Sequence, residues 1–372
     1  MGQRFSKRSQ HKTHPTNIDL SKRGIEMQGW PGMMSAMIMV SSLMLGSCAG
    51  AINLGTFAQG TPVDTDTPRV TFAGDVPPWA DSAAATMSEL ESWRGLPFLE
   101  DLQVTFQPQT DPNLNGWYNS ETQQLVVTVG GSEQLGRGVL LHEIFHALQD
   151  QHFDLYQLRL NSLGQPDYDQ ALSALIEGEA MLAVSELMNY DFLAHAQLPR
   201  DGDVSAAQFE NLFIYGDGLK FIRAIRDAGG WAAVDAAFEN PPQATTLIFK
   251  PERYLAGERE AHILDIPLQP GETLQAQTVE GEYSLRYLFA ESPDTRSLLE
   301  QVKTDYWADT LGIVQTAEGQ VIHRWVIEFT DEAGADELEA WVSGFTTALT
   351  RQQDLAQPPA ISIVESTLVA EW

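Results

Sequence analysis

Apolar residues recur along the chain with two periods. Between Trp79 and Leu96 they stand at Ala84, Met87, Leu90 and Trp93, the spacing of one helix face. Leu102 to Phe106 alternates instead, as a strand does. Gly116–Asn119 and Leu125–Val129, joined across Ser120-Glu121-Thr122, read as a hairpin, which Gly130-Gly131 stops. Ser132 and Glu133 are then placed to cap a helix. On that helix Leu140, Leu141, Ile144, Phe145, Ala147 and Leu148 fill one arc. With His142 at the origin of a 100° wheel, His146 falls at about 40°, Asp150 at about 80°, Glu143 at about 100° and Gln149 at about 340°. A second helix is predicted over Ala171–Val184. Further on, Tyr283–Phe289, Asp294–Val302 and Asp331–Leu349 read as helices. Leu311–Thr316 and Gln320–Phe329 read as a hairpin, and Ile361–Val369 as a last strand. The expected class is α+β.

The helix at residues 139–152 carries chemistry. His142-Glu143-Ile144-Phe145-His146 is an H-E-x-x-H pentapeptide. Two imidazoles one turn apart can hold one metal ion, and the intervening carboxylate can act on a water at that ion. Asp150, on the same face, is either a partner that orients the imidazoles or a solvated surface acid. A catalytic zinc takes three protein ligands, and two residues compete for the third place. His152 has the spacing of the metzincin pattern H-E-x-x-H-x-x-G-x-x-H, but Gln149 stands where that pattern breaks the helix with Gly. With the helix continuing, His152 turns to the side of Leu141 and Phe145, as a core or helix-end residue. Glu177 falls among Ala180, Met181, Val184 and Met188, whereas Glu179 and Glu186 cluster on another side, expected nearer solvent. A carboxylate on a buried face needs a partner, and a metal ion is one.

Charge and the N-terminus narrow the setting. Acids outnumber bases 51 to 22, a net charge of −29, which excludes nucleic acid as a partner on electrostatic grounds. Residues 1–47 break this trend with six bases, then the apolar run Met33–Leu45. That is the layout of an export signal too short for a comfortable membrane span, and the start could equally be Met27 or Met33. Leu45-Gly46-Ser47-Cys48 resembles the lipobox of bacterial lipoproteins, and Cys48 is the only cysteine, so lipid attachment gives this thiol a role. The expected organisation is a lipoprotein signal over 1–47 and a flexible Gly/Thr/Pro-rich tether over 48–78. A metal-site domain over 79–261 and a smaller α+β domain over 262–372 follow. The expected location is the extracytoplasmic face of the cell membrane.

H-E-x-x-H followed by Glu177-Gly178-Glu179-Ala180 on a downstream helix resembles the gluzincin branch of zinc metallopeptidases. More closely, His142–Phe153, Ala174–Ala180 and the run from Gly229-Gly230-Trp231 to Pro251-Glu252-Arg253-Tyr254 resemble a family of bacterial exported gluzincin-like proteins. The similarity spans roughly residues 95–260, and more weakly Trp307–Phe345. The resemblance implies a small sheet beside the H-E-x-x-H helix and a Glu-bearing helix. It also implies Zn2+ on His142, His146 and Glu177, Glu143 as general base, and a peptide or protein substrate. Lys250 departs from the family, which often has His before the Pro-Glu pair; Lys250 would substitute as a cation or alter activity. Tyr190, Tyr215 and Tyr254 are possible oxyanion donors, with none singled out. His262 and His323 are isolated and read as structural. Two alternatives stand beside the peptidase: a lipoprotein binding or scaffold module that keeps the zinc fold, and a zinc hydrolase of non-peptide amides.

Overall fold

The computed structural model describes residues 69–372 except 112–113, 196–197, 199–201 and 331–334. The expected export signal, Cys48 and the tether as far as residue 68 lie outside the described residues. The architecture is mixed α+β with two sheets.

The first sheet is made of β1 (Val70–Gly74), β2 (Leu102–Pro108), β3 (Gly116–Asn119) and β4 (Gln124–Val129), with α1 (Ser82–Arg94) between β1 and β2. Their order is β1-β2-β4-β3, with β1, β2 and β4 parallel and β3 antiparallel on the edge. The hairpin and the strand at Leu102 fall where alternation puts them. β1 corrects the expected tether, which ran to residue 78. Val70–Gly74 pairs residue by residue with Leu102–Phe106, and Val70 is buried. Five residues carry too little alternation to announce a strand; the pairing partner makes it one.

Helix α2 (Glu133–Phe153) lies on this sheet and shares its core with α1, through Met87, Leu90, Phe106, Val127, Ile144 and Phe145. The Ser132 hydroxyl accepts from the Leu135 N–H at 3.2 Å, the expected cap. The helix runs through Gln149 and ends only at Asp154, whose φ of 51° closes it in the left-handed region. Then come α3 (Leu155–Ser162), α4 (Pro166–Leu187), α5 (Phe192–His195) and α6 (Ala206–Asn211). A π-helical stretch, Leu212–Asp217, leads into α7 (Gly218–Glu239), followed by α8 (Thr245–Phe249) and α9 (Pro251–Leu255). Helix α4 is buried on nearly every side from Ala171 to Ser185. A helix apolar all round belongs inside a protein, not on its surface.

The second sheet contains β5 (Thr273–Thr278), β6 (Tyr306–Gln315), β7 (Val321–Phe329), β8 (Ala360–Val364) and β9 (Thr367–Glu371), ordered β5-β6-β7-β9-β8 and antiparallel throughout. Helices α10 (Gly281–Ala290), α11 (Leu299–Asp305) and α12 (Ala335–Gln352) accompany it, with Phe289, Trp325, Trp341 and Phe345 buried among them. The single strand expected over Ile361–Val369 is a hairpin that turns at Glu365, where φ is 55°. Buried polar contacts tie α8 to the N-terminal end of α4 and the start of α10 to β6. Asp167 accepts from the Thr245 backbone N–H and hydroxyl, and Asp309 accepts from the Glu280 and Gly281 N–H groups. A Cβ on Gly281 would collide with the Asp167 carboxylate, so this approach requires glycine.

Candidate metal centre

His142 and His146 project from one face of α2, their ring centroids 4.5 Å apart and their planes at 88°. Their Nε2 atoms are 2.9 Å apart. Helix α4 brings Glu177 to the same point: its Oε2 lies 3.1 Å from His142 Nε2 and 3.3 Å from His146 Nε2. Both imidazoles are buried, and the Glu177 side chain is 16% exposed. Four donors held about 2.0–2.1 Å from a central zinc would be separated by about 3.3 Å, so this triangle is close to one face of a coordination tetrahedron. Two imidazoles and a carboxylate suit zinc, and they suit several other divalent first-row ions as well. Among the described residues this is the group of three able to hold a metal ion.

The charges are strongly coupled. Burial alone would raise the pKa of Glu177, but His146 and His142 outweigh it and hold the carboxylate well below its usual range. Burial works against a charged ring at His146, yet Glu177, Glu143 and Gln149 carry its pKa up to about 9. At His142, burial and the neighbouring His146 win, and the pKa falls.

Glu143 is 1% exposed, and neither of its carboxylate oxygens has a hydrogen-bond partner among the described residues. Burial pushes its pKa up to about 8, with His146 opposing and Glu177 adding. Edge strand β3 runs directly beside it. A Cβ on Gly116 would sit 3.2 Å from Glu143 Cγ and 2.5 Å from Val139 Cγ1, so glycine lets the strand approach this close. An unpaired ionisable group in a buried site beside an open sheet edge is where chemistry is expected.

His142, Glu143, His146 and Glu177 therefore meet. Of the other sequence candidates, Tyr215 lies beside them, whereas His152, Asp150, Lys250 and Tyr254 are engaged elsewhere. The His152 ring is a helix-end group whose Nε2 is hydrogen-bonded to the Pro97 carbonyl at 2.7 Å. Asp150 touches neither imidazole; it accepts from the Tyr118 hydroxyl at 2.7 Å and the Leu155 N–H at 2.9 Å. Lys250 pairs with Glu282 at 3.3 Å and donates to the Tyr306 carbonyl at 3.4 Å. The Tyr254 hydroxyl donates to the Asn240 carbonyl, whereas Tyr215, in the π-helical stretch, presents its ring 6.0 Å from that of His142. His262 and His323 stack on Trp307 and Trp372.

Glu179 reverses an expectation. It is fully buried, not near solvent, and binds Arg94 at 2.5 Å and the Gln149 amide at 2.9 Å. Its partner on α1 is 85 positions upstream, beyond the reach of any local spacing. Gln149 is the residue that sequence reasoning passed over, although the wheel sets it beside the histidines; its Oε1 lies 2.8 Å from His146 Nδ1. In comparisons with known proteins, no family model matches the chain, and neither a curated protein nor a solved structure matches it.

Proposed function

We propose that this protein is a zinc-dependent metallopeptidase of gluzincin type, held at the extracytoplasmic face of a membrane by lipid on Cys48. The observation that carries the reading is the convergence of His142, His146 and Glu177 beside the unpartnered carboxylate of Glu143. The anchor rests on the N-terminal sequence, and no helix of the described residues is long and apolar enough to cross a membrane.

A bound zinc would polarise the scissile carbonyl and bring the pKa of a water down to about 7. His142, His146 and Glu177 would hold the ion. Glu143 is the general base: it takes the proton of the attacking water and returns it to the departing amine. The open edge of β3 offers main-chain hydrogen bonds to an extended peptide, which would lie across the histidines by β-addition.

The test is metal stoichiometry and peptide-library cleavage for the wild type, Glu177→Ala, His152→Ala and Glu143→Gln. The expected result is one zinc in the wild type, His152→Ala and Glu143→Gln, none in Glu177→Ala, and cleavage lost in Glu143→Gln with zinc retained. Zinc lost only in His152→Ala would move the site to a metzincin-like arrangement. No zinc in the wild type after metal is supplied would refute the enzyme and leave a lipoprotein scaffold.

A further inference from the structure

Arg94 and Glu179 form an ion pair with side chains only 1% and 0% exposed. Arg94 also donates to Asp235 at 2.5 Å and lies over the Trp231 ring, 4.5 Å from its centroid. Stability alone does not explain such a pair, because an apolar pair of the same volume usually does as well. The hydrogen bonds leading away from it do.

The second oxygen of Glu179 accepts from Gln149 Nε2 at 2.9 Å, and the same nitrogen donates to the Ile176 carbonyl at 3.0 Å. A backbone carbonyl and an arginine-paired carboxylate can only accept, so the Gln149 NH2 group must face them. Gln149 Oε1 is thereby turned to His146 Nδ1, 2.8 Å away. An amide oxygen can only accept, so Nδ1 carries the hydrogen. A neutral ring protonated at Nδ1 has its lone pair on Nε2, the atom that faces His142 Nε2 and Glu177. Left to itself, Glu177 would favour the opposite tautomer, with the hydrogen on Nε2 pointing at its own carboxylate.

We propose that Arg94, Glu179 and Gln149 form a relay that locks His146 in the tautomer able to bind a metal through Nε2. Glu179 and Gln149 are thus positioning residues for the centre. This inference rests on the metal-site reading above.

The relay makes a directional prediction that plain packing does not. In Glu179→Gln the new amide keeps its oxygen towards Arg94, so its NH2 faces Gln149. Gln149 can then no longer satisfy the amide at 179 and the Ile176 carbonyl while accepting from Nδ1–H, so the Nδ1–H tautomer loses its support. Zinc affinity of the full chain, measured by chelator competition, falls by about 10- to 100-fold, the range for lost outer-shell partners. In the double variant Glu179→Gln/Gln149→Glu, a protonated carboxyl at 149 donates its O–H to the Ile176 carbonyl and accepts both from the amide at 179 and from Nδ1–H, and affinity recovers to within about tenfold of wild type. Gln149→Met, which keeps the Arg94–Glu179 pair, loses affinity like the single Glu179 variant and provides the test should Glu179→Gln fail to fold. Wild-type affinity in Glu179→Gln or Gln149→Met, or a double variant no better than Glu179→Gln, overturns the relay while leaving the metal site standing. A wild type that binds no zinc overturns the metal site, and the relay with it.

Discussion

Gly178, between Glu177 and Glu179, is where α4 crosses the start of α7. A Cβ built there would lie 2.3 Å from the carbonyl carbon of Gly218, 2.4 Å from its oxygen and 2.8 Å from its Cα. The crossing is reciprocal, since a Cβ on Gly218 would lie 2.2 Å from the Ala174 oxygen. All these atoms are backbone, so no side chain can swing aside. Ordinary contact begins at 3.4 Å, so Gly178→Ala must part the helices by 1.1 Å. A gap of about 1 Å forfeits up to about half the attraction of each atom pair across it, and overpacking of this kind costs about 3 kcal/mol. Alanine returns about 1 kcal/mol of helix propensity, leaving a net loss of about 2 kcal/mol. Gly138→Ala on α2 makes the same chemical change, but its Cβ meets the Met188 sulfur at 3.3 Å, the yielding end of a flexible side chain. That variant is expected to gain about 0.5–1 kcal/mol. Urea unfolding read by tryptophan fluorescence and far-UV circular dichroism compares the two, with coincident transitions and an unchanged m value as the conditions for a valid difference. A Gly178→Ala protein as stable as wild type, or one that outlasts Gly138→Ala, refutes the reasoning.

Three further perturbations probe other contacts. Tyr118→Phe removes the hydrogen bond to Asp150 and should cost about 1 kcal/mol in urea unfolding. It should leave zinc affinity unchanged, and a tenfold drop would return Asp150 to the groups that act on the imidazoles. Arg94→Met strands Glu179 in the core and should cost about 3–5 kcal/mol, whereas Arg94→Met/Glu179→Met should recover most of it. A double variant no more stable than the single one would refute this. Asp167 is buried, with Asp309 and Glu282 nearby, and its pKa is raised from 3.8 to about 7; at Glu280, burial with Asp309 and Asp167 raises it from 4.5 to about 8. An acid whose folded pKa is raised stabilises the fold fully below its unfolded pKa, and that contribution is lost as pH rises through the folded value. Stability should therefore fall between about pH 4 and pH 8, by on the order of 4 kcal/mol for Asp167. Asp167→Asn should flatten the decline in melting temperature, and an unaltered slope would show that Asp167 is not responsible.

What could be read from the chain alone follows the range of the interactions involved. The α2 face, the β3–β4 hairpin and the Ser132 cap are settled by neighbours within a few residues, and they stand as the pattern predicts. β1 and the β8–β9 hairpin are short strands, defined by partners rather than by their own alternation. Gln149 shows a different limit. Compared with a motif that has Gly at this position, it is a missing helix break; its amide matters only once Glu179 and Ile176 are known to lie across from it.

The two acids of α4 bring these strands together. A wheel ranks the faces of a helix, but it cannot find a solvent side on one that has none. The apolar composition of Ala171–Val184 on every side was the signal that both Glu177 and Glu179 are inward. Two buried carboxylates then need two sources of positive charge. Arg94 answers Glu179. For Glu177, the ion-pair partners among the described residues are His142 and His146, whose Nε2 atoms crowd to 2.9 Å. Two lone pairs that close repel unless a proton or a metal ion lies between them. A proton can come from His142 Nε2, whose ring has no partner at Nδ1 among the described residues, or from a doubly protonated His146, whose pKa is carried up to about 9. A cation bound by all three donors would satisfy the carboxylate and both rings at once, and that is the physical support for the proposed metal site.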